Sequence, residues 1–411
     1  MTISDFNIRH LRAFCELVKT HNVSKAAERI HLSQPAVTQA IRKIETHLDA
    51  DLFERSNAGL FANQNARLLY RRTLSAFSLL EKGIILAGRK AQTSDVQKQI
   101  HLVTSTHLRT LMAIQQARSF ALATRQLSVS QSSLHRSARD LEQLLGIDLF
   151  SATHRGIELT EPAAILARFA KLANAEMRQA VDEINALKGK DTSRIMVGSM
   201  PLSRTSILPS ATQSLLDENP DVQVCNVDGP YTELLHGLRH GDLDFLVGAL
   251  RDPPPAEDVI HEVLFNDTLA VVSGKNHPLA GRTSLDRSDL LAFPWISAPS
   301  TTPTGMKTSE ILGLDADNRD SPIRIISSSL VMIRGMLMRG NYLTLMSPRQ
   351  LQVELQTGLV TILDTHLDIE ERPIGLTFRK GWQPTPTQKA YIDLVRKAAG
   401  EYYPSQAPST N

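Results

Sequence analysis

Apolar positions make the first division of the chain. Val37, Ile41, Ile44 and Leu48 recur at the spacing of one buried helical face and leave Gln34, Pro35, Thr38, Gln39 and Arg42 outside. Ser33 stands where an N-cap belongs, and Pro35 lies in the first turn, where a missing N–H costs nothing. Slid against itself by 97 residues, the chain repeats this pattern, with 14 identities in 57 gapless positions from residue 10 to residue 66. Ser33-Gln34 falls on Ser130-Gln131, Arg42 on Arg139, Asp51-Leu52-Phe53 on Asp148-Leu149-Phe150 and Gly59 on Gly156. Two copies are a tandem pair and not a solenoid. Each copy predicts helix, helix, tight turn, helix and a short hairpin.

A long helical segment follows each copy. In the second, Ile165, Phe169, Leu172, Ile184 and Leu187 form an apolar stripe on an otherwise polar helix, which calls for a helix partner. From Ser193 the texture becomes βαβ, with strands expected at 195–199, 222–227, 243–248 and 269–273. A second lobe is expected from about 274 to 372, with strands at 294–298, 323–327 and 342–346. The strand 374–379 and the helix 387–399 would return to the first lobe, leaving a cleft between the two.

Length and composition narrow the function classes. A chain of 411 residues with 42% hydrophobic and 21% charged content predicts two to four globular domains. The net charge is only +2, but residues 1–72 hold eleven Lys and Arg against seven acids. Cys15 and Cys225 are the only cysteines, which excludes a disulfide framework and a Cys-based zinc site and fits a reducing compartment. The start has no signal-peptide pattern and no stretch reaches the length of a membrane span, so a cytoplasmic protein is expected. No Gly-rich phosphate loop, GxSxG, HExxH or Cys/His metal spacing is present. His236 and His240 share a helical face, but Gly237 and Gly241 argue against a metal there; no catalysis, cofactor or metal is expected.

The exposed face of 34–42 suits the edges of base pairs. Gln34 and Gln39 can bond adenine, Arg42 can reach guanine or phosphate, Thr38 and Pro35 can touch a thymine methyl, and Ser33 with the helix N-terminus can hold a phosphate. Plain solvation of a packed helical domain remains the alternative for such a helix alone. The whole first copy resembles the N-terminal winged helix-turn-helix of LysR-type transcriptional regulators. The resemblance rests on Leu11-Arg12-Ala13-Phe14, Ser24-Lys25-Ala26-Ala27, and the block from Leu32 through Glu45 and Leu48 to Leu52-Phe53-Glu54-Arg55. The rest is similar to that family through Gly241-Asp-Leu-Asp244, His277-Pro-Leu-Ala280 and residues 374–379. The duplication is a departure from ordinary members.

The resemblance implies two all-α winged helix-turn-helix domains and a two-lobed α/β effector domain like periplasmic binding proteins. The limits would be 1–63 and 99–161 for the winged units, 64–98 and 162–190 for linker helices, 193–403 for the effector domain and 404–411 for a tail. DNA contacts would come from Ser33, Gln34, Pro35, Thr38, Gln39, Arg42 and Arg55, and in the second copy from Ser130, Gln131, His135, Arg136, Arg139 and Arg155. The copies depart from the family in complementary ways. The first has lost the basic Arg-Gly and Leu-Thr of the wing at 57–63. The second keeps His154-Arg-Gly-Ile-Glu-Leu-Thr160 but has Ser132 for the helix proline and Ala121-Leu122 where a capping Ser is expected. The first copy is therefore expected to be the main reader, with the second as a lesser reader, or a degenerate spacer or dimerisation unit.

Effector contacts are expected from Ser199, Ser203 and Arg204 after the first strand, from Ser300, Thr301 and Thr302, and from Ser328 opening a helix. Hydroxyls and free N–H groups suit a sugar or a small organic acid, and Met200-Pro-Leu-Ser-Arg204 is similar to a sugar-responsive branch of the family. Implied partners are double-stranded DNA with a pseudo-palindromic operator, RNA polymerase and further copies of the chain, as a homodimer through the linker helices or a homotetramer. A solute sensor or scaffold that binds no DNA is the competing class.

Overall fold

The computed structural model describes residues 6–402 except 57–58, 89–98, 118, 154–155 and 315–320. The first copy runs through α1 (Ile8–Thr20), α2 (Val23–Arg29) and α3 (Gln34–Leu48), the hairpin β1 (Phe53–Ser56) and β2 (Gly59–Ala62), and the long helix α4 (Gln64–Gly88). The same order returns 97 residues later as α5 (Ser105–Ala117), α6 (Phe120–Leu127), α7 (Gln131–Leu145), β3 (Phe150–Thr153), β4 (Gly156–Leu159) and α8 (Glu161–Leu187).

Polar contacts repeat with the backbone. The Glu45 carboxylate accepts from Leu52 N at 3.0 Å, and Glu142 accepts from Leu149 N at 2.9 Å. Thr160 caps α8 by accepting from Ala163 N at 3.3 Å and donates to Asp148 O at 2.8 Å. At the equivalent place Asn63 accepts from Ala66 N at 3.0 Å and donates to Asp51 O at 2.8 Å. The missing Thr of the first wing is thus replaced in function by an amide. The expectation of a lost cap on α6 is corrected in the same way. Ser119, two residues before Ala121, accepts from Leu122 N, as Asn22 accepts from Lys25 N at the start of α2.

The apolar stripe of α8 finds its partner within the chain. α4 and α8 run antiparallel: Arg72 meets Glu176, Gln179 and Glu183, while Gly83 meets Phe169. A Cβ on Gly83 would lie 2.6 Å from Phe169 Cβ, so the close approach needs glycine there. Phe169, Leu172 and Ile184 are buried, whereas Leu187 stays exposed. A linker-helix seam supplied by a second chain was expected; α4 already occupies it. Of the linker expected over 64–98, the helix ends at Gly88, and 89–98 lie outside the described residues. Arg72 is buried at the centre of this seam, 2.7 Å from Glu183 and 3.0 Å from Glu176. Burial works against its charge, but the two carboxylates hold the guanidinium protonated.

The α/β region starts with β5 (Arg194–Ser199), α9 (Ile207–Glu218), β6 (Gln223–Asp228), α10 (Tyr231–Arg239), β7 (Phe245–Ala249), β8 (Val259–Asp267) and β9 (Ala270–Gly274). It continues through α11 (Arg287–Leu291), β10 (Trp295–Ser297), α12 (Pro303–Leu312), β11 (Ile323–Ile326), α13 (Leu330–Leu337), β12 (Leu343–Met346), α14 (Gln352–Gln356), β13 (Val360–Ile362), β14 (Arg372–Arg379) and α15 (Pro386–Tyr402). One sheet has the order β6-β5-β7-β14-β8 and the other β11-β10-β12-β9-β13. Two differences from expectation stand out. β8 was missed, because His261-Glu262 and Asn266-Asp267 interrupt its apolar residues, as an edge strand allows; it pairs antiparallel with β14. β9 lies in the second lobe and not the first, paired antiparallel with β12 and β13. The first lobe sits on α8, where Gly241 approaches Leu172 and Ala175, Lys171 pairs with Asp242 at 2.9 Å, and Gln179 bonds Gln388 at 2.9 Å. Among the described residues no helix is long and apolar enough to cross a membrane.

Two stability predictions concern α8. Glu183→Ala leaves the Arg72 charge buried and underpaired and should cost about 3–5 kcal/mol in urea unfolding, whereas Arg72→Leu combined with Glu183→Leu should recover most of the loss. Asp182, half-buried on α8, has its carboxyl pushed up to about 7 by burial, with Arg178 pulling the other way. The folded chain therefore holds a proton that the unfolded chain releases, and stability falls as pH rises from about 4 to about 7, by at most ~1.4 kcal/mol per pH unit. Asp182→Asn should flatten that slope, raising the melting temperature at pH 8 and leaving it unchanged near pH 4.

Candidate nucleic-acid interface and ligand cleft

The turn before α3 is closed by Ser33, whose hydroxyl accepts from Ala36 N. Val37, Ala40, Ile41, Ile44 and Leu48 are buried, which turns Gln34, Pro35, Thr38, Gln39 and Arg42 to solvent as one exposed face. Thr38 bonds back to Gln34 O at 3.1 Å. Lys43, which the sequence reading passed over, is exposed beside Arg42; adjacency to Arg42 outside the apolar stripe was its signal. Arg55 is exposed on β1. The hairpin is held against the helices at Gly59 (φ +129°), where a Cβ would lie 2.9 Å from His21 O, and Phe61 stacks on His21 with ring centroids 5.3 Å apart. The wing expected to have decayed keeps its hairpin, with Phe53 opposite Ala62 as Phe150 is opposite Leu159.

The second copy presents a different face. Ser130 caps α7 from Ser133 N, and its hydroxyl also bonds those of Ser132 and Ser133 at 3.0 and 2.8 Å. Gln131, Arg136 and Arg139 are exposed. His135 is not a free reading residue, because its ring stacks on Phe120 at 4.6 Å and is half-buried. Arg155 lies outside the described residues. Asp140 occupies the position equivalent to Lys43, so the outer face of α7 carries an acid where α3 carries a base. Lys188, one residue beyond α8, donates to Leu48 O at 2.9 Å and Asp49 O at 3.0 Å, capping the far end of α3.

In the α/β region the predicted hydroxyls divide. Ser203 is buried and donates to Met200 O at 2.9 Å and Val247 O at 3.3 Å, and Thr302 caps α12 while donating to Pro299 O at 2.7 Å. Both hydroxyls are engaged with the chain's own backbone. Arg204 is engaged with Asp228 at 2.8 Å, and Ser300 and Thr301 are exposed on the loop after β10. Ser328 does line a cleft of about 400 Å³, partly open to solvent, together with Pro201, Thr304, Gln350 and Arg372. Arg372 spans the cleft wall: it bonds Thr304 Oγ1 at 2.9 Å and the buried Asp267 at 2.9 Å, while Ser347 donates to Asp267 at 2.6 Å.

A second guanidinium stands near Arg372. Arg251, beyond the end of β7, lies over the Tyr231 ring at 4.7 Å. Burial lowers its pKa, Tyr231 acts the other way, and the Arg372 charge lowers it further. Its Nη1, the Tyr231 hydroxyl and the Ser199 hydroxyl are buried without hydrogen-bond partners among the described residues. These groups share the carboxyl end of the parallel strands, where such sheets take ligands. A guanidinium with an unmet donor, two unmet hydroxyls and a second guanidinium nearby suit a carboxylate better than a neutral sugar. Nothing in the local sequence around Arg251 or Arg372 marked them, since only the fold brings residues 231, 251 and 372 together.

The family model described as LysR substrate binding domain matches residues 188–400. The model described as bacterial regulatory helix-turn-helix protein, lysR family, matches residues 8–71 and 105–164. The chain is 28% identical over 395 residues to the HTH-type transcriptional regulator GalR of Pseudomonas putida, covering 96% of this chain and 98% of that protein. It is 28% identical over 300 residues to the HTH-type transcriptional regulator PcaQ of Agrobacterium fabrum, covering 72% of this chain and 95% of that one. Among solved structures it is similar to HinK, a LysR family transcriptional regulator from Pseudomonas aeruginosa, at 24% identity and a TM-score of 0.42 over 72% of this chain and 98% of that one.

Removing the underpaired cation separates stability from binding. Arg251→Met should match or exceed the parent's melting temperature without ligand, and should lose the upward shift expected of the parent with a small carboxylic acid. That shift corresponds to about 2.7 kcal/mol at a hundred times the dissociation constant. A variant that keeps the full shift would remove Arg251 from the ligand site.

Proposed function

The chain belongs to the LysR family of bacterial regulatory helix-turn-helix proteins, and we propose that it carries two winged helix-turn-helix DNA readers under the control of one effector domain. It is a ligand-responsive, DNA-binding transcription regulator. The observation that carries the double reader is the repetition of the whole unit, caps and hairpin register included, with the family's helix-turn-helix model matching at 8–71 and 105–164. The GalR relative, itself of similar length, aligns along 96% of this chain, whereas PcaQ aligns over 72%, a shortfall of about one repeat.

The first unit is the principal reader, through Gln34, Pro35, Thr38, Gln39 and Arg42, with Lys43 and Arg55 on phosphates. The second contributes Gln131, Arg136 and Arg139, weakened by the packing of His135 and the charge of Asp140. The effector is a small organic acid held between the lobes by Arg251, Arg372, Tyr231, Ser199 and Ser328. Its closure of the lobes shifts the population of reading-head placements on a pseudo-palindromic operator, and RNA polymerase is the machinery acted upon.

Gel shifts across a salt series test the ranking. Arg42→Ala should weaken binding by about 1–3 kcal/mol, a roughly 5- to 150-fold loss, and Arg139→Ala by clearly less. Equal losses would overturn the ranking, and no loss from either would overturn DNA reading by these faces.

A further inference from the structure

A two-fold pair has a signature: if residue i of one copy meets j of the other, then j meets i, and residues on the axis meet their own equivalents. In this chain equivalents are 97 positions apart, and the signature is met within one molecule. Ile8 N donates to the hydroxyl of Ser105, its own equivalent, at 3.3 Å, and that hydroxyl donates to Phe6 O. Along the α4–α8 seam, Gly83 meets Phe169, the equivalent of Arg72. Reciprocally, Arg72 bonds Gln179 at 2.9 Å and Glu183 at 2.7 Å, on either side of Ala180, the equivalent of Gly83. Both copies also share one core, in which Leu11, Phe14 and Leu69 join Leu108, Leu111 and Leu166.

From this we infer that one chain is a covalent pseudo-dimer of reading heads: its α4–α8 seam closes in cis, and a single chain addresses both inverted half-sites of one operator. The inference rests on the reading of the second unit as a DNA reader. Inverted half-sites require heads related by a two-fold axis, which homodimeric regulators obtain from two chains. Here the axis passes through one chain, and the apolar face that would recruit another chain's helix is covered. Lys188 completes the exchange between copies, since the end of the second copy's long helix caps the reading helix of the first.

The test counts half-sites against chains. Duplexes are selected by the full-length chain from a random pool, their half-sites mapped by footprinting, and the mass of the complex measured by analytical ultracentrifugation. Two half-sites per chain are expected, with at least about a tenfold loss of affinity when either is scrambled. One half-site per chain, with two chains spanning an inverted pair, would overturn the cis seam while leaving the first unit a DNA reader. Selection of a lone half-site would overturn the second reader, and recovery of no specific duplex would overturn the function proposed above.

A complementation arm separates cis from trans directly. Arg72→Glu and Glu183→Arg are made in separate chains, and each should lose DNA binding. Mixed and refolded together, they stay inactive if the seam closes in cis. A seam closing between chains would pair each altered helix with its complement and restore binding, which would refute the inference. If the charge reversals prevent folding even when mixed, the half-site count decides alone.

Discussion

A guanidinium buried in a helix seam must be neutralised where it lies, because removing it from water costs several kcal/mol that only close, well-placed partners offset. Arg72 meets that demand with four groups from two elements. Glu176, Gln179 and Glu183 come from α8, and Gln383 O comes from the turn before α15. One charge therefore fixes the rotation of α4 against α8 and the seat of the first lobe on both. A plain apolar seam would tolerate slippage by a turn; this one does not, since any shift leaves an ion unpaired.

The second constraint sits at the hinge between lobes. Asp267 ends β8 just before the chain crosses into the second lobe, and Arg372 opens β14 just after it returns. Their pairing at 2.9 Å, with Ser347 on the same carboxylate, ties both crossings to one point. Because Arg372 also touches Thr304 and lies near Arg251, the proposed anion would compete for a group that ties the two lobes. The route outward is short: the first lobe bears on α8 at Lys171 and Gln179, and α8 ends where Lys188 holds α3.

Much of the fold was legible because periodicity reports burial. The spacing of Val37, Ile41, Ile44 and Leu48 and the self-alignment at 97 gave both three-helix units, and the βαβ rhythm gave the lobes. What stayed hidden depends on contacts distant in sequence. The stripe on α8 announced a helix partner, but nothing local said that the partner was α4. The edge strand β8 was lost because its solvent face breaks the apolar run, and β9 was placed in the wrong lobe because a strand's sequence does not name its neighbours. Hydroxyls proved the least readable feature. Ser203 and Thr302 satisfy nearby carbonyls, while the arginines of the cleft carried no local pattern at all.

The Asn63 and Thr160 caps carry a consequence for how such a molecule changes over generations. In a homodimer every substitution is made twice, and both heads must tolerate it. With the two units encoded separately, one cap could become an amide while the other stayed a hydroxyl, and Pro35 could diverge from Ser132 or Lys43 from Asp140. Each unit drifts alone, so on the proposed double reading the preferred target is free to lose its mirror symmetry one half at a time.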